Sequence, residues 1–187
     1  MNVERTSIPG VLIITPKVHR DARGSFRESW QRDRYADLGL PADWMQDNVS
    51  VSQRGVLRGL HFQHPRPQGK LVTVLRGEIM DVAVDVRVGS PTFRCFDVVT
   101  LSSANGRQLW IPEGFAHGFL ALSDEALVLY KVSQPYDPAG DRTVAWNDAD
   151  IGIDWPVTTP ILSAKDREGR RLADFPPGEL PQFITSA

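Results

Sequence analysis

From Val11 to Val132 the sequence breaks into short runs of apolar or alternating residues, with Gly, Pro, Asn and Asp between them. The clearest runs are Val11–Thr15, Val56–Gln63, Leu71–Leu75, Ile79–Arg87, Phe93–Leu101, Gly118–Leu122 and Leu127–Val132. Ile79–Arg87 alternates well. Met80, Val82, Val84 and Val86 fall on one face, and Asp81, Asp85 and Arg87 on the other. Many short strands separated by turn residues predict a sandwich or barrel. Helical periodicity is weak and confined to Asp33–Leu38 and a stretch after Asp166, so any helices are short and peripheral. The tail from Pro176 is Pro-rich and is expected to be irregular. No linker or internal repeat divides the chain, and 187 residues suit one domain.

Composition narrows the partners. The formal net charge is −2, without the basic excess of a nucleic-acid binder. With 41% hydrophobic and 24% charged residues the chain reads as an ordinary soluble globular protein. No apolar run approaches the ~20 residues that span a membrane. Met1-Asn2-Val3-Glu4-Arg5 lacks the basic-then-apolar build of a signal peptide, so a cytoplasmic location is expected. The single cysteine, Cys95, sits in a strand-like run and is expected to be a small buried hydrophobe. A few arginines in one cleft still allow an anionic ligand in a chain of this charge.

Two segments have spacings associated with the cupin barrel. Gly106, Pro112, Gly114 and His117 match the second cupin motif, and Gly55 and His61 match the start of the first. A metal-binding cupin then has a second histidine two residues on and a glutamate shortly after. Here that position is Gln63, and His64-Pro65-Arg66-Pro67-Gln68 supplies no carboxylate. His64 is three residues from His61, which on a strand turns it to the other face. A first-row metal wants three or four converging ligands, so no metal and no cofactor are expected.

Arg58-Gly59-Leu60-His61-Phe62-Gln63 extends the pattern. So do Gln46-Asp47-Asn48, Gln68-Gly69-Lys70-Leu71, Ser90-Pro91-Thr92-Phe93, Gln108 to Phe119, Leu129-Tyr130-Lys131, Trp146-Asn147-Asp148, Ile151 to Pro156 and Leu162 to Asp166. In this order, from about Ile8 to Asp166, the blocks closely resemble the dTDP-4-dehydrorhamnose 3,5-epimerase family, cupins that work without metal. The resemblance implies an all-β jelly-roll barrel. It also implies a homodimer in which an N-terminal segment reaches the neighbouring subunit's site. The implied substrate is dTDP-4-dehydro-6-deoxy-D-glucose, epimerised at C3 and C5 to dTDP-4-dehydro-L-rhamnose.

Inverting a carbon beside a ketone passes through an enolate. The chemistry needs a base on one face, an acid on the other, and positive charge or donors at the enolate oxygen. His61 suits the base, since its ordinary pKa leaves it largely neutral at pH 7. By resemblance Asp166 is the carboxylate that orients it, and Tyr130 is the acid. Alternation puts Tyr130 on one face with Val128 and Val132, pointing into the barrel, a pattern that a plain core tyrosine shares. Lys70 is the candidate for the enolate oxygen. The resemblance makes Arg23 and Arg58 phosphate-binding arginines, for which the forked guanidinium is suited. It places Glu28, Gln46, Asp47 and Asn48 along the nucleotide and sugar, adds His117, Lys165 and Asp141 to the binding set, and stacks Tyr136 on thymine.

Some positions depart from the family pattern. His19 and Arg27 replace residues that are often aromatic, Pro135 replaces the first of two adjacent aromatics, and Asp141 stands where Glu is common. Strict alternation also puts Arg58 and His61 on opposite faces, a conflict that a bulge at Gly59 would resolve. Two rival readings share the motifs: a mono-epimerase acting at C3 or C5 only, and a non-catalytic sugar-nucleotide-binding cupin.

Overall fold

The computed structural model describes residues 1–176 and 178–184. The strands are β1 (Asn2–Arg5), β2 (Leu12–Thr15), β3 (Val18–Asp21), β4 (Gly24–Arg27), β5 (Gln46–Gln53), β6 (Leu57–Gln63) and β7 (Lys70–Arg76). They continue with β8 (Glu78–Asp85), β9 (Phe96–Ser102), β10 (Gln108–Ile111), β11 (Phe115–Ala121), β12 (Glu125–Val132) and β13 (Asp141–Thr143). Two short helices, α1 (Arg32–Ala36) and α2 (Ala164–Arg167), and one 3-10 turn over Leu172–Asp174 complete the described elements. The all-β expectation holds, and α1 overlaps the predicted region Asp33–Leu38, starting one residue earlier. The second helix begins before Asp166 and contains it, because Ser163 caps its first turn by accepting from the Asp166 N–H.

Six strands form one sheet in the order β1-β2-β10-β7-β12-β5, and five form another in the order β13-β6-β11-β8-β9. Their facing sides enclose the main core, with Val72, Val74, Ile79, Ala83, Leu109, Phe115, Phe119 and Val128 buried together. This is the two-sheet arrangement of a jelly roll. The hairpin β3–β4 belongs to neither sheet.

The outer face of the five-stranded sheet is also dry. Met80, Val82, Val84 and Val86 pack there against Trp155, Leu172, Phe175 and Leu180 from the C-terminal segment. Burying each such side chain contributes ~1.5–3 kcal/mol, enough to tie the segment down. Among its described residues the tail from Pro176 has no helix or strand but is held, through Val88 N–H to Pro181 O (2.8 Å) and Phe183 N–H to Val88 O (3.0 Å). Pro177 and residues 185–187 lie outside the described residues.

The expectation for the cysteine needs correction, since Cys95 is exposed. The run Phe93–Leu101 enters its strand only at Phe96, and Cys95 closes the preceding turn by donating its N–H to Thr92 O. In β8, alternation set Asp81 and Asp85 on the side opposite Met80 and Val82, and the structure buries both fully. Their side of the strand faces the barrel; Asp85 is compensated by Arg87, Ser90 and Thr92, while Asp81 bonds His117 through Oδ1 alone.

Candidate active site

The cavity between the two sheets has a volume of about 340 Å³ and is lined by His61, Lys70, His117, Tyr130, Asp141 and Asp166, among others. The local backbone of β6 decides what it presents. His61 pairs with His117 of β11, but Arg58 pairs with Phe119, so three steps along β6 match two along β11. This is the bulge required to bring Arg58 and His61 to one cavity. Gly59 sits in it at φ +121°, and a Cβ there would lie 2.5 Å from the Gly118 Cα. Only glycine fits that backbone and that contact.

His61 Nε2 lies 2.6 Å from Asp166 Oδ1. The other carboxylate oxygen of Asp166 accepts from Ser163 Oγ at 2.6 Å. With Nε2–H donated to Asp166, His61 keeps Nδ1 as its free base. Burial pulls the imidazole below its ordinary pKa, against the upward pull of the Asp166 hydrogen bond. Burial alone would raise the Asp166 carboxyl, but the hydrogen bonds from His61 and Ser163 outweigh it, and the group stays below the usual carboxylate range.

Tyr130 comes from β12, on the opposite sheet. Its ring stands edge-on to His117, with centroids 6.1 Å apart, and its hydroxyl is 2.8 Å from Ser50 Oγ. Burial raises its phenol above the ordinary value. Lys70 enters from β7 and donates to the His61 carbonyl at 3.3 Å. Burial pushes its ammonium down to about 8, while Asp141 and Asp81 pull the other way. His117 Nε2 is 2.6 Å from the fully buried Asp81. A second His–Asp pair therefore stands beside the first, across the β6–β11 pairing.

The binding residues read from the sequence divide into two groups. Asn48, Arg58, His117, Tyr136, Asp141 and Lys165 line the cavity. Arg58 is braced by Ser52 Oγ at 2.9 Å. Asp141 joins the rim, accepting from Tyr136 Oη at 2.9 Å and forming an ion pair with Lys165. Gln46 supports the same rim by accepting the Tyr136 N–H at 3.0 Å. Asp47 does not enter the cavity. It neighbours Asn48 on a strand, so it points outward, where it pairs with Lys131 at 2.9 Å. Arg23 and Glu28 are also apart from it: Arg23 is 90% exposed at the β3–β4 turn and holds Asp21, and Glu28 holds Arg34 at 2.8 Å.

Gln63, in the place of a second metal-binding histidine, is committed to the backbone. It donates to Arg66 O and Pro135 O and accepts from the Asp137 N–H at 3.0 Å. Both cavity histidines are already paired with carboxylates. Among the described residues no group of three or more His, Cys, Asp or Glu converges as a metal site.

Sequence reasoning missed Asp81, Ser163 and Ser50. Ser163 carried a signal, since Ser-x-x-Asp is an N-cap pattern. Asp81 carried none, because alternation marks a face and not its burial. Ser50 shares its alternation with Asn48 and Ser52, and only the neighbouring strand makes it a partner of Tyr130.

Residues 5–174 match the family described as dTDP-4-dehydrorhamnose 3,5-epimerase. The dTDP-4-dehydrorhamnose 3,5-epimerase of Methanothermobacter thermautotrophicus is 52% identical over 92% of this chain and 95% of its own. The dTDP-4-dehydrorhamnose 3-epimerase of Streptomyces niveus is 43% identical over 99% of this chain and 91% of its own. Among solved structures, the dTDP-6-deoxy-D-glucose-3,5-epimerase of Legionella pneumophila Philadelphia 1, in complex with dTDP-4-keto-L-rhamnose, superimposes with a TM-score of 0.96 at 46% identity, covering 98% of this chain and 99% of that one. Similarity of this extent over nearly the whole length means that the chain belongs to the dTDP-4-dehydrorhamnose 3,5-epimerase family.

Proposed function

We propose that this enzyme inverts dTDP-4-dehydro-6-deoxy-D-glucose at C3 and C5, giving dTDP-4-dehydro-L-rhamnose. The observation that carries the reading is that His61 and Tyr130 come from opposite sheets across one cavity. Inversion needs a base on one face of the sugar and an acid on the other. His61 Nδ1 takes the proton beside the ketone, and Asp166 stabilises the imidazolium that forms. The Lys70 ammonium meets the enolate oxygen, where a preorganised charged donor is worth ~10²–10³ in rate. Tyr130 returns a proton on the far face. Family membership supports the substrate, and Arg58 and Lys165 supply positive charge at the cavity for its diphosphate.

The protein works as a homodimer. The hairpin β3–β4 lies outside both sheets and exposes Arg23 and Phe26, so Arg23 serves the neighbouring subunit's cavity. Among the described residues no helix is long and apolar enough to cross a membrane.

Proton NMR of the dehydro sugar incubated with the enzyme in D₂O tests the reading. Deuterium appearing at both C3 and C5, with inversion at both, is the expected result. Label at one carbon alone would make it a mono-epimerase, and label at neither would make it a binding protein. The exchange is expected to survive exhaustive chelation, because Gln63 and both cavity histidines have other partners. Loss on chelation with recovery on adding one metal would sink the metal-free mechanism.

A further inference from the structure

The acid has a neighbour for which the mechanism above has no use. Ser50 Oγ is the one hydrogen-bond partner of the Tyr130 hydroxyl among the described residues, at 2.8 Å. Ser50 belongs to β5, where it pairs with Val128, while Tyr130 pairs with Asn48. The two side chains are thus diagonal neighbours on one face, within each other's reach. Ser50 also lines the cavity.

A phenol has one hydrogen. If Tyr130 gives it to Ser50, that hydrogen is not aimed at the substrate. If Ser50 is the donor, the phenol hydrogen is free to point into the cavity. We propose that Ser50 is a positioning residue for proton return: its hydroxyl donates to the Tyr130 oxygen, turns the phenol hydrogen toward the enolate carbon, and holds the phenolate left after transfer. The inference rests on Tyr130 being the acid.

The step balances. The Tyr130 O–H bond breaks as a C–H bond forms at the enolate carbon, and the negative charge passes to the phenol oxygen. The phenolate later takes a proton from solvent while the His61 imidazolium releases one, so the enzyme returns to its starting state. Burial opposes the phenolate, and the Ser50 hydrogen bond acts in the opposite direction. No other described side chain bonds to that oxygen. A donor to a charged oxygen is the stronger kind of hydrogen bond, and its loss costs about tenfold or more in a step that creates the charge.

The test compares Ser50→Ala and Ser50→Thr with wild type on the dehydro sugar in D₂O, following deuterium wash-in and inversion in one sample. In Ser50→Ala, inversion is expected to fall about 10- to 100-fold while wash-in persists, because His61 still forms the enolate. Ser50→Thr keeps a hydroxyl and is expected to restore most of the inversion. A residue that merely supports the strand would lower wash-in and inversion together and would not be rescued selectively. Inversion at the wild-type rate in Ser50→Ala would overturn the proposal, as would a parallel fall of both signals. Tyr130→Phe separates the two levels: if it inverts normally, Tyr130 is not the acid, and both readings fall.

Discussion

His61 can act as a base only while its cavity-facing nitrogen is unprotonated. Burial holds its pKa below the ordinary value, so the basic form survives to more acid pH than in a free histidine. Lys70 sets the other limit. Its ammonium, pushed down to about 8, loses its charge as pH rises through that value, and in the proposed mechanism the enolate then loses its countercharge. The groups around Lys70 are Asp141 and Asp81, which favour its charge, and Lys165, which opposes it. The expected profile of kcat/KM therefore has its acid limb below pH 6.5 and an alkaline limb near 8. In Lys70→Met the alkaline limb should vanish along with most of the rate. A limb persisting near pH 8 in that variant would assign it to another group. His61→Ala should abolish deuterium wash-in, a loss of about 10²–10⁴, while nucleotide affinity measured by calorimetry stays close to wild type. Asp166→Asn should be milder, since the amide can still accept from Nε2–H but no longer stabilises the imidazolium. Full wash-in by His61→Ala would refute the base assignment.

At the scale of the element, β6 matters most, because its bulge brings Arg58 and His61 to the same cavity. Gly59 makes the bulge possible, and its expected sensitivity follows from geometry. Gly59→Ala would force a Cβ to within 2.5 Å of the Gly118 Cα and 2.8 Å of the His117 carbonyl, both of them backbone. Neither atom can swing aside as a side chain would. Thermal unfolding should register a loss of ~1–3 kcal/mol or more, and activity should fall with it as His61 and His117 shift. Gly39→Ala is the matched control. Its φ is also positive (+85°), but nothing lies within 4 Å of the added carbon. It should cost some stability and leave the cavity unaffected. If Gly59→Ala turned over substrate normally, the bulge would not be what positions the site. The capped turn of α2 is the second element on which the site depends. Ser163 both caps the helix and donates to Asp166, so local folding there and orientation of His61 depend on the same hydroxyl.

At the scale of the whole molecule, the question is where Arg23 acts. The hairpin that carries it joins neither sheet as a strand and is tied to the six-stranded one through Arg27, which donates to Val74 O at 3.3 Å, and among the described residues Arg23 pairs with Asp21 alone. If it completes a neighbour's cavity, two damaged proteins should repair each other. Arg23→Ala and His61→Ala are each expected to be weakly active or inactive alone. Unfolded together and refolded, they form mixed dimers in which one of the two cavities has both residues intact. Random pairing would leave roughly a quarter of all cavities complete, and activity should recover toward that fraction. No recovery, with mixed dimers demonstrated by differential tagging, would place Arg23 outside the site.

The sequence by itself determined the class of fold and the identity of the chemical groups. Period-two runs between turn residues can bury their apolar faces only in packed sheets, and the ordered blocks around His61, Lys70, Tyr130 and Asp166 matched one family throughout. Its conflict between Arg58 and His61 was also real, since strict alternation cannot put both on one face. The tertiary structure decided what depends on a neighbour. Alternation gave Asp81 a face, but not that this face lies inside the barrel, where His117 of the adjacent β11 pairs with it. Cys95 looked buried, but its strand begins one residue later. Asp47, Arg23 and Glu28 matched binding positions, yet within one chain they lie away from the cavity. The physical reason is the same in each case. Alternation along a strand says which side a residue takes, while burial and partnership are set by the segment packed on that side, which is distant in sequence.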